Sequence, residues 1–388
     1  ARTEFADRDE IESCRRDRFW PSILTDPHTR RNDEGQRALP TTDGWTSVIV
    51  GGGTIHMSGF FLRALPEDAQ QGTRFHDVQA HTAIDWAVPF DELAKYYPIA
   101  ESEMGVSGVA AHYGDLSSGP ALKQLPPLAE HPITKRAEDA AKKLGIKIMR
   151  TPRAILTEPR PDEDRLSCAY RLACASYGCP NDARGSMLVT YLRRAEKSGK
   201  CTVTPELYAK KLVKDGDKVS GVVVKHLATG QEETLTAGIV VLAASAIESA
   251  RLLLLSGDGF NPGGNVGKHL WFSLYVDVNG NFTKAKYPEA MAGSPFIHRT
   301  LNYGTMVPAA ERAKLGIDRV GTMDLLWQHD NPIHRAERLA TEGDLTWGTA
   351  LKKKMKQHFL EERSILCEGF GEALPHKGTY VDLDPDVK

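Results

Sequence analysis

The pattern of apolar and polar positions is sharp in some stretches of the chain and absent in others. Residues 1–45 are polar, with charged pairs at Arg15-Arg16 and Arg30-Arg31. Their weak periodicity predicts irregular structure with one helix near Asp9–Arg18. A β-type run, Thr46–Val50, breaks into Gly51-Gly52-Gly53. Leu93, Tyr96, Tyr97 and Ala100 recur at helical spacing and predict a helix over 90–104 stopped by Gly105. A Gly/Pro/Ser-rich loop over Gly108–Pro127 leads to a helix at Ile133–Leu144, ended by Gly145. Residues 151–167 read as loop, and Met187–Lys197 as a helix capped by Gly199. Strand-like runs follow at Cys201–Thr204, Val219–His226, Glu232–Thr236 and Ile239–Ala243, with Ala228-Thr229-Gly230 as a tight turn. Ala246–Leu255 reads as a buried helix capped by Ser256-Gly257. A second β region covers roughly 270–330, with Asn279-Gly280 as its hairpin turn, and a long amphipathic helix covers Thr349–Glu362. Together these elements predict a mixed α+β chain without internal repeats.

Composition adds bounds. The 388 residues, 41% hydrophobic, suffice for a sizeable core and for two or three domains or one large enzyme unit. Lys plus Arg (49) nearly balances Asp plus Glu (51), and no basic patch or nucleic-acid motif stands out, so no nucleic-acid partner is expected. No run approaches the ~20 apolar residues of a membrane helix. The chain opens on a polar stretch, not on a signal peptide, although an export signal could lie upstream. Six cysteines are too few for a disulfide scaffold, yet Cys168, Cys174 and Cys179 fall within twelve residues.

Three constellations could carry chemistry. The run Gly51-Gly52-Gly53-Thr54-Ile55-His56-Met57-Ser58 leaves the predicted strand, and such a loop offers backbone N–H groups to an anion such as a pyrophosphate. A Gly-rich turn without a ligand is the equal alternative. Cys168, Cys174 and Cys179 place soft thiolates close together. Zinc requires a fourth ligand that no nearby histidine supplies, whereas three thiolates suit a three-iron, four-sulfur cluster. The competing reading is a set of buried free thiols. Finally, Ala243, Ala244 and Ser245 would end a strand and open a helix, where small residues admit a flat ligand or simply pack. No strand-G-x-G-x-x-G-helix unit occurs, so a complete Rossmann site is not encoded in this sequence.

In order, these pieces resemble the glucose–methanol–choline family of flavoprotein oxidoreductases. They are most similar to the branch containing the flavoprotein subunits of gluconate 2-dehydrogenase and fructose dehydrogenase. The carriers are VGGGTIHMSGFFLRALPED, DWAVPFDELAKYYPIAESEMGVSG, CAYRLACASYGCPNDARGSMLVTYL, the run Val240–Gly257 with Asn265-Val266-Gly267-Lys268, and YVDLDPDVK. The resemblance implies an FAD domain of discontinuous segments and a β-sheet substrate domain. It divides the chain at 1–105 (flavin loop), 106–200 (cap and cysteine region), 201–268 (FAD-binding β-meander and βα segment) and 269–388 (substrate sheet). It places Gly51, Gly52, Gly53 and Thr54 against the pyrophosphate and flavin, and His56, Met57 and Ser58 at the flavin. His56 would either bond covalently to the ring or merely contact it. Ala209 would meet the adenine, and Ala243, Ala244 and Ser245 the adenosine end. The family's Rossmann strand would precede Ala1 and its catalytic His/Asn pair would follow Lys388, so the sequence is expected to be trimmed at both ends. Some relatives carry a further cysteine where Arg171 stands.

The activity implied by this resemblance is oxidation of a hydroxyl of a sugar, sugar acid or polyol, with hydride passing to FAD. Electrons would leave through a cluster at Cys168, Cys174 and Cys179. A small partner subunit and a cytochrome acceptor at a periplasm-facing membrane are implied in the same way. The alternatives are a cluster-free alcohol or pyranose oxidase, an inactive truncated paralogue and, more weakly, a zinc-stabilised structural protein. Trp271, His298, Arg299 and Trp327 are possible pocket residues or ordinary sheet residues.

Overall fold

The structure, a computed structural model, describes residues 27–41, 46–76, 78–108, 125–146, 148–170, 178–287, 296–300, 308–315, 321–326 and 332–387. The helix expected at Asp9–Arg18 lies outside them, as does most of the Gly108–Pro127 loop. In chain order the principal elements are strands β1 (His28–Arg30) and β2 (Leu39–Thr41), helices α1 (Phe90–Ala94), α2 (Tyr97–Met104) and α3 (Pro132–Lys143), and strand β3 (Met149–Arg150). Next come α4 (Arg193–Lys197), β4 (Leu207–Asp215), β5 (Lys218–His226), β6 (Glu232–Thr236) and α5 (Ser245–Leu255). The remainder comprises β7 (Ser273–Thr283), β8 (Phe296–Thr300), α6 (Ala309–Leu315), β9 (Thr322–Leu326), α7 (Pro332–Thr341), α8 (Gly348–Leu360) and β10 (Glu362–Glu372).

Among the described residues three sheets form, and every described strand pair is antiparallel: β1-β2, the meander β4-β5-β6, and a five-stranded sheet ordered β3-β8-β9-β10-β7. Residues 228–230 turn between β5 and β6 as expected, with the Gly230 N–H donating to His226 O at 2.7 Å. The helix expected at Ile133–Leu144 forms as α3, and Gly145 at φ +68° lets the Ile146 N–H reach Ala141 O.

Several expectations are corrected. The predicted helix over 90–104 is two helices, because Pro98 lacks an N–H and clashes with the carbonyl four residues back; it therefore sits in the first turn of α2. Thr46–Val50 forms no strand and instead enters a turn, closed by the Gly52 N–H to Ile49 O. Cys201–Thr204 is irregular, and β4 starts at Leu207. Ile239–Ala243 is also irregular, with Ile239 83% and Val241 81% exposed. An apolar run of this kind becomes a strand only between neighbours that take its backbone bonds, and no described strand pairs with it. Met187–Lys197 opens with a π turn, Leu188–Leu192, before α4. Helix α8 ends before Glu362, which opens β10, and residues 380–387 are irregular.

Asn279-Gly280 is not a hairpin turn. Both residues lie inside β7, which pairs with β10 over its whole length, from Ser273↔Glu372 to Thr283↔Glu362. Gly280 serves packing instead: a Cβ there would stand 3.2 Å from Ile365 Cγ2 and 3.4 Å from the Phe282 ring.

The segment 151–156 read as loop, yet it is the most deeply buried stretch described. Ala154 and Leu156 are 0% exposed, and Thr151, Arg153 and Ile155 are buried beside them. A buried segment must find partners for its backbone. Here Arg153 exchanges both bonds with Ser107, Ala154 bonds to Gly59 and Gly185, and Leu156 bonds to Ala183 and Cys168. Far-separated parts of the chain therefore meet at this one strap. Elsewhere, residues 29–34 are fastened to the far end of the sequence: Thr29 to Asp384, Arg31 to Asp382, and the Tyr380 hydroxyl to Glu34.

Candidate functional site

The glycine loop packs on the 151–156 strap. Gly51 and Gly52 both take positive φ, +94° and +60°, which side-chain-bearing residues rarely adopt. A Cβ on Gly51 would lie 2.9 Å from Ile55 Cδ1 and 3.0 Å from Leu188 Cβ, so that glycine is required by close approach. Around Gly52 nothing lies within 4 Å of a Cβ position. A single 3-10 turn, Gly52–Ile55, follows. Thr54 ties it down: its hydroxyl donates to Gly51 O at 2.7 Å and accepts the Met187 N–H at 3.0 Å. Downstream, the Phe61 N–H reaches Pro152 O and the Ala154 N–H reaches Gly59 O. Met57 and Phe61 pack on the buried cluster of Met104, Val106 and Ala154.

His56 shares a 2.7 Å hydrogen bond between its Nε2 and Ser47 Oγ. Burial first, and then the nearby Arg184 cation, lower its pKa from the ordinary value. The imidazole is therefore neutral at pH 7. Arg184 itself donates to Ile55 O at 2.5 Å, and Arg153 donates to Ser58 O at 3.1 Å while its guanidinium stacks 3.4 Å from the Phe60 ring centroid. These two belong to a set of four buried arginines, with Arg63 and Arg165. Arg63 makes two 2.8 Å bonds to Glu101, and Arg165 bonds the carbonyls of Asp182, Met104 and Ala183 and the Glu163 carboxylate. Sequence reasoning passed over all four. The available signal was an arginine within an apolar or small-residue run, as in TPRAIL and DARGS, where a charge stays only with partners.

Cys168 and Cys179 are half-buried and pack against the same cluster, Ile155, Leu156 and Ala183. The Tyr170 N–H points to Cys168 Sγ at 3.4 Å. Cys174 and Arg171 lie outside the described residues, so the trio is not seen whole. Among the described residues, no group of three or more His, Cys, Asp or Glu side chains is arranged to hold a metal ion.

The other expected contact residues form a second group. Ala209 is half-buried in β4 opposite Val224, beside a bulge. Ala243, Ala244 and Ser245 are exposed; they follow an irregular segment rather than a strand, and Ser245, at φ +69°, opens α5. Helix α5 is fixed on β4 by the buried Ser256, whose Oγ accepts the Leu212 N–H. In its first turn Glu248 meets His28 of β1 at 2.9 Å and Arg251 at 2.7 Å. Burial alone would raise the Glu248 pKa, but these two partners outweigh it and hold the carboxyl at about 2. The described hydrogen bonds tie the glycine loop to the strap and the π turn, and they tie α5 to β4 and β1. Of the possible pocket residues, Trp271 is exposed, His298 and Arg299 fall in β8, and Trp327 lies outside the described residues.

The space beside Gly52 is open, with nothing within 4 Å of a Cβ position, so a ligand can come close to the backbone there. The match to a known family points the same way. The model of the GMC oxidoreductase family matches residues 42–274, from just before the glycine loop to the start of β7. The chain belongs to the GMC oxidoreductases. Members of this family bind FAD, and the residues expected to meet it leave room: the space beside Gly52 is open, and Ala243, Ala244 and Ser245 are small and exposed. Among curated relatives, 6'''-hydroxyparomomycin C oxidase of Streptomyces lividus is 30% identical over 266 residues, covering 67% of this chain and 45% of the relative. The 2-methyl-1,2-propanediol dehydrogenase of Mycolicibacterium austroafricanum is 26% identical over 380 residues, 94% of this chain and 64% of the relative. The fructose dehydrogenase large subunit of Gluconobacter japonicus is 28% identical over 255 residues, 63% and 44% respectively. The chain thus spans about half to two-thirds of the length of these GMC relatives.

Proposed function

We propose that this GMC chain belongs to an FAD-dependent dehydrogenase that oxidises a hydroxyl of a sugar, sugar acid or polyol. The glycine loop carries the reading: Gly51 to Thr54 hold the pyrophosphate and flavin, with open space at Gly52 and the loop locked by Thr54. His56, Met57 and Ser58 face the ring end, and Ala209, Ala243, Ala244 and Ser245 the adenosine end. When bound, FAD supplies the hydride acceptor. The chain's own residues bind and orient it. The Ser47 hydroxyl fixes the His56 ring, and burial beside Arg184 keeps that ring neutral, so it can donate a hydrogen bond without adding charge or take up a proton to become an imidazolium. The substrate class is supported by relatives named for an aminoglycoside, a diol and fructose.

Cys168, Cys174 and Cys179 hold an iron–sulfur cluster in this reading, of the three-iron type. Two of the thiols share one hydrophobic cluster and one receives a backbone N–H, a contact that tunes such centres. A cluster there would pass electrons onward to a cytochrome. A small partner subunit and a periplasm-facing location go with it, in keeping with a relative named as a large subunit. A second reading, a cluster-free oxidase, is favoured by the apolar packing of Cys168 and Cys179 and by a relative named as an oxidase.

The deciding experiment is the visible spectrum of the purified protein together with its iron content. One flavin and about three irons per chain support the dehydrogenase. Flavin without iron selects the oxidase, and the absence of both removes the proposal.

A further inference from the structure

Two buried cations bracket the part of the loop that faces the proposed flavin. Ile55 ends the 3-10 turn, and Ser58 precedes Gly59, which sits at φ +78°. The carbonyl at each of these points is held by a guanidinium that is almost fully buried: Arg184, 3% exposed, on Ile55 O and Arg153, 2% exposed, on Ser58 O. His56 and Met57 lie between the two held carbonyls. We propose that Arg153 and Arg184 are positioning residues that clamp the loop on both sides of His56 and set where its ring stands. The proposal rests on the flavin-facing reading of the loop.

The physical case has three parts. First, a buried guanidinium is costly and an apolar side chain of similar volume often serves the core as well, so stability alone does not call for two of them here. Second, the guanidinium fork is rigid, so each bond fixes a direction as well as a distance. Third, the two arginines come from different segments, and each is itself anchored. The Arg153 backbone exchanges two bonds with Ser107, and its side chain stacks on Phe60. Arg184 is next to Ala183 and Gly185, whose backbones bond the strap at Leu156 and Ala154. The nearby Arg184 charge also helps to keep His56 neutral, in line with a ring held in one state as well as in one place.

Arg165 is the internal control. It is equally buried, at 1% exposure, but its bonds go to Asp182, Met104, Ala183 and Glu163 and not to the loop.

The test uses the full chain carrying Arg153→Met, Arg184→Met, Arg184→Lys or Arg165→Met. Amide hydrogen exchange over residues 51–60 is followed with and without added FAD, at matched distance below each variant's melting point. The two clamp-to-Met variants should speed exchange in this loop by about tenfold, the loss expected of a charge-assisted bond. Arg165→Met should leave it within about twofold, and Arg184→Lys, which keeps the charge but loses the fork, should fall between. In flavin-loaded protein, substrate turnover should fall in kcat with KM nearly unchanged for the clamp variants only. If a Met variant fails to fold, the Lys variant carries the comparison. Loop exchange that is unmoved, or raised equally by Arg165→Met, overturns the clamp. Faster loop exchange in a protein that binds no flavin keeps the clamp and removes the flavin reading. Bound flavin with unmoved exchange does the reverse.

Discussion

Replacing Glu101 with Met deprives Arg63 of its counter-charge in a place that water does not reach. The side chains are 2% and 0% exposed, and the carboxylate accepts two bonds of 2.8 Å, from Nε and Nη2. Breaking such a pair from one side typically costs about 3–5 kcal/mol, because the remaining charge stays buried. Unfolding entropy of ~2.1 cal/mol/K per residue amounts to roughly 0.8 kcal/mol/K for a chain of this length, so the melting temperature should fall by about 4–6 °C. The converse change, Arg63→Met, should cost about as much and also lose the stacking of Arg63 over Tyr97 at 5.5 Å. The double variant removes both charges and should recover most of the loss. A thermal double-mutant cycle, read by calorimetry and far-ultraviolet circular dichroism, should give a coupling of at least ~2 kcal/mol. Additive single effects would refute the reasoning, since they would mean that each charge is solvated independently of the other.

Burial holds His131, 1% exposed, at a pKa of about 4 against an ordinary 6.5. Its neutral form therefore contributes stability that is complete above pH 6.5 and lost as pH falls toward 4, up to about 3 kcal/mol. His131→Phe should flatten the melting temperature across that window, and an unchanged slope would disprove the assignment. Glu248 runs on a lower window: the contact with His28 and Arg251 stabilises fully above pH 4.5 and is lost as pH falls toward 2. Acid titration of Glu248→Gln, read by thermal melting, should show no such loss. A Cβ at Gly185 would stand 2.3 Å from Met104 O, the carbonyl that Arg165 also holds, so Gly185→Ala should destabilise by about 1–3 kcal/mol in denaturant titration. On the proposed cluster reading, Cys174→Ser should abolish iron binding while substrate still bleaches the flavin, and retention of iron in that variant would detach the thiol from the cluster.

What could be read from the residues divides along a physical line. Periodic elements with local stop signals, such as α3 before Gly145 and the β5-turn-β6 hairpin, were legible because backbone preference and burial agree there. Asn279-Gly280 misled because the dipeptide's turn preference is overridden by eleven paired positions against β10, where Asn279 faces Leu366, 87 positions away. The same limit hid the importance of 151–156: a proline, an arginine and a threonine look like loop chemistry until the bonds to Ser107, Gly59, Gly185 and Ala183 are seen. The apolar run 239–243 reads as a strand on hydrophobicity alone, but strand formation depends on neighbours. At the candidate site, the glycines and His56 could be singled out as candidates from the sequence. The arginines that hold His56 in place could not, because an arginine's role depends on distant carbonyls that sequence spacing does not reveal.

The fastening of residues 29–34 to residues 380–384 bears on how the protein is made. Thr29 and Asp384 are 355 positions apart. On a ribosome adding ~5–20 residues per second, the first strand waits roughly 20–70 s for its partner to be synthesised, and longer for it to clear the exit tunnel. Until Glu248 and Asp384 have been made, His28 and Thr29 of β1 lack these two partners, and an isolated two-stranded ribbon is marginal in water. The 29–34 segment therefore gains its full set of described partners only once residues 380–384 have been made.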